Sequence, residues 1–187
     1  MVAAIALAAT WLLPSVTVGQ GGSAQHSPPH NPAHAERAVG WCAHHLARGE
    51  LVAALSDCDY AVALEPQNLA ALSNRGSVYL LAGEPARALT DFNAAIALAP
   101  ADPDLHFNKG IAHGKLGMNE QAVADYTQAI QLRPNFAIAY HNRGYEHEVM
   151  SRPDDALADY RHALALRPGL KQSLDAIERL QKQRKGQ

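Results

Sequence analysis

The chain has 187 residues, 48% hydrophobic and 18% charged, with a formal net charge of -2, which is enough for one domain with its own core. The near-neutral balance leaves no electrostatic footprint for nucleic acid, and aromatics at 6% argue against base-stacking platforms. Two cysteines exclude a disulfide-dense mini-protein or a four-cysteine zinc site, and no stretch approaches the roughly 18 apolar residues that a membrane span needs.

Residues 2–13 are almost wholly apolar, and the stretch from Gly19 to Pro32 is rich in Gly, Ser, Pro and His. The pattern looks like the apolar region of a secretory signal followed by a flexible linker. We read 1–24 as the signal segment, with cleavage after Gly19 or Ala24, and 25–34 as the linker. A mature chain in the periplasm or outside the cell is then expected. Met1 is followed by no Lys or Arg, the charge such a signal normally carries, and a chain that keeps the segment is cytoplasmic instead. His26, His30 and His34 are four apart, but Pro28, Pro29 and Pro32 forbid the helix that would turn them into a metal-binding face.

From residue 35 the chain repeats. Pro66, Pro100, Pro134 and Pro168 are 34 residues apart. The same step relates Ala54, Ala88, Ala122 and Ala156, and again Ala61, Ala95, Ala129 and Ala163. Gly76, Gly110 and Gly144 keep it too, each inside an Asn-Arg-Gly or Asn-Lys-Gly triplet. Four units follow: 35–68, 69–102, 103–136 and 137–170. Each reads as two helices. The first runs about 13 residues to Gly49, Gly83 or Gly117, where glycine suits a helix C-terminus. Ser151 stands there in the fourth unit and is read as a cap for the next helix. Pro85 and Pro153 open second helices, where a missing N–H costs nothing. Phe92, Tyr126 and Tyr160 sit among the small residues of that helix. Residues 171–187 carry an amphipathic helix, with Leu174, Ile177 and Leu180 on one face, and a solvated basic tail.

This pattern resembles the tetratricopeptide repeat family over residues 35–170. The first unit departs from it: Cys42 stands at the glycine, Cys58 at the aromatic and Gly40 at the asparagine. A degenerate terminal repeat is expected of a solenoid. The resemblance implies an all-α, right-handed superhelical solenoid of four helix-turn-helix units with a C-terminal capping helix. It also implies a non-catalytic scaffold whose first helices line a concave, protein-binding face. The Asn-Arg/Lys-Gly and Asp-Tyr forms resemble bacterial members, which points to a bacterial cell envelope.

Carried over position by position, the concave face includes Asn74, Asn108 and Asn142, with Phe107, Ile111, His141 and Tyr145 beside them. Asparagine amides both donate and accept, so three in a row could hold an extended peptide backbone. Phe107, Ile111 and Tyr145 would anchor it as hot spots do. Some relatives clamp a partner's C-terminal carboxylate with cations on this face. The matching positions here are Val39, Ala43, Asn74, Asp104 and Asn108, or one unit on Ser73, Ser77, Asn108, Ile138 and Asn142; neither set carries a cation. The expected ligand is therefore a neutral peptide segment or a partner domain.

Other chemistry is thin. Cys42 and Cys58 sit at facing inward positions of one hairpin, either as a disulfide or as two buried thiols. With His45 they offer three soft ligands and a metal-carrying or redox alternative, although no fourth ligand is evident. A self-assembling repeat module is the other alternative. His45, His113 and His147 share one repeat position and are read as packing histidines with one polar edge satisfied. Asp57, Asp91, Asp125 and Asp159 share another and are expected to form surface pairs with Arg75, Lys109 or Arg143. No nucleophile elbow, phosphate loop or dinucleotide fingerprint occurs, so no enzyme activity and no cofactor is expected.

Overall fold

Proline, glycine and alanine placement sets the helix boundaries. The computed structural model describes residues 32–185, which hold helices and no strands. They are α1 (Pro32–Ala47), α2 (Leu51–Leu64), α3 (Leu69–Leu81), α4 (Pro85–Leu98), α5 (Pro103–Lys115), α6 (Asn119–Leu132), α7 (Ala137–Val149), α8 (Pro153–Leu166) and α9 (Lys171–Lys185). None is long and apolar enough to cross a membrane. The proposed signal segment 1–24 lies outside the described residues, as do His26 and His30. The expected linker ends sooner than residue 34. Pro32 already begins α1, because a proline is tolerated in a helix's first turn, so His34 is helical.

Pro85, Pro103 and Pro153 each open a helix. Gly49, Gly83 and Gly117 take φ of 72°, 78° and 72° just past the first helices of their pairs. Ser151 corrects one expectation. It does not cap α8, whose N-cap is Arg152. It occupies the glycine's place with φ 58°, its N–H donating to the Glu148 carbonyl at 2.9 Å.

The described residues pack as two units, one through Pro100 and one from Ala101. In the first, α1 pairs with α2 and α3 with α4, and α3 packs on both α1 and α2. Its core is mostly small: Ala38, Ala61 and Ala71 form one cluster, and Cys42, Ala54, Cys58 and Val78 another. In the second, α5 pairs with α6 and α7 with α8, and α7 packs on both α5 and α6. Arg133, after α6, grips the Asp104 carboxylate on α5 with bonds of 2.8 and 2.7 Å. Helix α9 lies on α8 and covers Ala156, Leu157 and Tyr160 with Ala176 and Leu180. That burial of apolar surface is what a capping helix supplies.

Within a pair the two helices approach closely through a glycine. A Cβ on Gly76 would lie 2.7 Å from the Phe92 ring, and one on Gly110 2.7 Å from the Tyr126 ring. At Gly144 the gap to Tyr160 is 3.0 Å. The aromatic of the second helix therefore rests on the bare backbone of the first.

Candidate functional site

Three of the recurring aspartates, Asp91, Asp125 and Asp159, are buried groups and not the surface pairs expected, while Asp57 is half-buried. Asp91 accepts two bonds of 2.8 Å from Arg75, and Asp159 accepts bonds of 2.9 and 2.7 Å from Arg143. Both aspartates are buried. The hydrogen bonds that Arg75 donates to Asp91 hold its guanidinium pKa well above the ordinary value. Asp125 takes Lys109 at 3.6 Å and the His113 Nδ1 at 2.6 Å. In the first pair the cation's position is Trp41, and among the described residues the His45 Nδ1 serves Asp57, at 2.7 Å. His147 stands 3.7 Å from Asp159, and its buried Nδ1 has no partner. Burial pushes the His147 pKa below its ordinary value.

Cys42 and Cys58 are joined as a disulfide, with Cα atoms 5.1 Å apart. The metal reading of Cys42, His45 and Cys58 falls with that. The sulfurs are bonded to each other, and the His45 ring turns to Asp57. Among the described residues no group of three or more His, Cys, Asp or Glu is placed to hold a metal ion.

The residues assigned to the concave face are spread over several environments. Asn74 lies half-buried on α3, in the first unit. The other six belong to α5 and α7. Phe107 is fully buried, its ring 4.8 Å from that of Phe136 and 5.8 Å from that of Tyr126, so it serves the core. Its neighbour Asn108 is also fully buried, with neither amide atom partnered. Asn142 is half-buried on α7. His141 is half-buried, its Nδ1 2.9 Å from the Ser173 Oγ on α9, and burial lowers its pKa. Ile111 is at the edge of burial, whereas Tyr145 is 55% exposed.

Two features escaped sequence reasoning. Glu148 on α7 accepts from the Tyr160 hydroxyl at 3.0 Å and from Arg179 at 2.8 Å, which ties the cap to the last pair. Glu146 is buried beside Gly114, where a Cβ would lie 2.5 Å from its carboxylate. Burial raises the Glu146 pKa to about 7. The signal lay in the repeat register. Glu146 stands where the preceding units have Ala112 and Val78, and Gly114 stands where they have Leu80 and Leu46.

Sequence models of the tetratricopeptide repeat match residues 43–109 and 103–136. Among solved structures the chain is similar to the TPR domain of Arabidopsis OM64, at 30% identity and a TM-score of 0.60, covering 62% of this chain and 95% of that one. It is similar in fold to MamA from Desulfovibrio magneticus RS-1, at 20% identity and a TM-score of 0.69, covering 73% and 77%. It is also similar in fold to a chain of the APC/C hetero-tetramer Cut9-Hcn1, at 20% identity and a TM-score of 0.74, covering 78% and 30%. Comparison with curated protein sequences returned no match. The 34-residue register, the helix pairs it produces and a relative matched over nearly its whole length agree that this chain belongs to the tetratricopeptide repeat family.

Proposed function

We propose that this protein is a non-catalytic scaffold that captures a peptide segment or a partner domain on the α5–α7 side of its second unit. Members of the family are as a rule protein-binding scaffolds. The observation that carries the reading is Tyr145, a large aromatic left 55% exposed on α7 while Tyr126 and Tyr160 are buried. An exposed tyrosine joins a broad apolar face to a hydroxyl and is a frequent interface anchor. Ile111 and Asn142 supply an apolar edge and an amide near it in the repeat register. His141 is held by the cap and helps to shape that side. Asn108 is fully buried and contributes nothing to that surface directly. The ligand is a protein group and not a nucleic acid or a bare C-terminal carboxylate, since no cation stands at the clamp positions.

We further propose that the chain acts in a bacterial envelope after loss of residues 1–24. The apolar N-terminal segment and the buried disulfide support that reading. Intact mass after expression from the native start tests it. Removal of the first 19 to 24 residues is expected, and a full-length product sinks it. The binding surface is tested by pull-down from envelope extracts with wild-type protein and Tyr145→Ala. A variant with wild-type melting is expected to lose at least tenfold in partner recovery. Unchanged recovery would remove Tyr145 from the interface.

A further inference from the structure

The second, third and fourth helix pairs lock by one device, a glycine on the first helix under an aromatic sixteen residues later. Gly76 faces Phe92, Gly110 faces Tyr126 and Gly144 faces Tyr160. The first pair has Cys42 and Cys58 at these same two positions, also sixteen apart, and joins them covalently. Around the bond the pair buries Ala35, Ala38, Ala54 and Ala61, side chains that remove little apolar surface from water. Two thiols would not replace a phenyl ring as packing, and among the described helices α1 packs on α2 and α3, whereas α3 packs on α1, α2 and α4, and α7 on α5, α6 and α8. The cross-link therefore does what ring packing does in the other pairs.

We propose that the Cys42–Cys58 bond replaces the glycine–aromatic lock and makes the fold of the α1–α2 pair conditional on oxidation. In closure each thiol gives up a proton, and the pair's two electrons reduce the disulfide of an exchange partner, a small-molecule or protein disulfide, to two thiols. Both sulfurs are fully buried once the helices dock. Exchange therefore occurs before docking, and the closed bond is then shielded from reductant. A chain retained in a reducing compartment keeps the later pairs and presents a loosened first pair.

Amide hydrogen exchange on the purified full chain tests this, comparing oxidised protein with protein reduced under denaturant and refolded in a phosphine reductant. Closing a loop of this length is worth about a hundredfold in the folded-to-open ratio. Amides of residues 33–64 are expected to exchange about a hundredfold faster after reduction, with those of α6–α9 unchanged. The Cys42→Ser/Cys58→Ser variant should match the reduced protein without any reductant. The Cys42→Gly/Cys58→Phe variant, which installs the lock of the later pairs, should recover protection and ignore reductant. An acceleration below tenfold in both the reduced protein and the serine variant overturns the proposal. So do two thiols that alkylate in the folded, unreduced protein. If the glycine–phenylalanine variant fails to fold, the oxidised–reduced comparison decides alone. No partner enters the readout, so its outcome is independent of the binding reading.

Discussion

Arg75 on α3 grips Asp91 on α4 with two bonds of 2.8 Å, and Asp91 keeps only 2% of its exposure. A third bond, 3.0 Å to Asp59 on α2, ties the same guanidinium to the preceding pair. Arg143 repeats the arrangement with Asp159 and, at 3.0 Å, Thr127. A planar fork with several donors can serve two helices at once, which an ammonium cannot do with equal geometry. Removing Asp91 leaves a half-buried guanidinium whose remaining carboxylate, Asp59, is exposed. Asp91→Ala should therefore lower stability by about 2–4 kcal/mol, near the range for a broken buried pair. Asp57→Ala, which among the described residues loses the bond to His45, should cost about half as much or less. Urea unfolding of both variants measures the contrast, and equal losses would show that the arginine fork contributes nothing special.

Ser151 gives a prediction of opposite sign. It holds φ 58° where the other three pairs have glycine. A left-handed conformation costs an L-residue about 1–2 kcal/mol, and glycine's extra freedom in the unfolded chain offsets part of that gain. Ser151→Gly should raise stability by about 0.5–1 kcal/mol, read as a higher urea midpoint at unchanged slope. A lower midpoint would mean that the Ser151 hydroxyl does something the glycine cannot.

The fold was legible in the sequence because its period is written in proline, glycine and alanine, residues whose backbone and size effects act locally. The site was less legible. Phe107 and Asn108 are neighbours on α5 and both read as face residues, yet both are fully buried. Helix α5 is covered by α6 on one side and by α7 on another, so its apolar arc is wider than a single packing face would predict. The aspartates read as surface partners because charge in a sequence carries no depth. Only the helix pairing shows that the arginine stems cover them. Ser151 was read from a cap preference, although its register with Gly117 already pointed to a left-handed turn.

The glycine at the helix crossing is testable against a control. A Cβ at Gly110 would meet the Tyr126 ring at 2.7 Å, whereas one at Gly40 on α1 meets nothing within 4 Å. Gly110→Ala should destabilise by about 1–3 kcal/mol through overpacking. Gly40→Ala should stabilise by about 0.5–1 kcal/mol, as replacement of an exposed helical glycine does. Thermal unfolding of the two variants should move in opposite directions. A neutral Gly110→Ala would mean that Tyr126 can swing away at no cost.

Glu146 makes stability depend on pH in a direction unusual for a carboxylate. Its folded pKa is raised from the ordinary 4.5 to about 7 by burial, against Gly114 on α5 and Tyr126 on α6. The folded state thus holds this proton more tightly than the unfolded chain does. Its contribution is fully present below about pH 4.5 and is lost as pH rises through about 7. Glu146→Gln keeps the shape of the protonated acid and removes the titration. The variant should match wild type near pH 4 and exceed it by about 1–2 kcal/mol at pH 8, a figure reduced from the full linkage value because the seam keeps some solvent screening. Urea midpoints measured across pH 4–8 give the difference curve. A flat curve would mean that the carboxylate finds water when it ionises, and a curve of opposite slope would mean that it finds a cation.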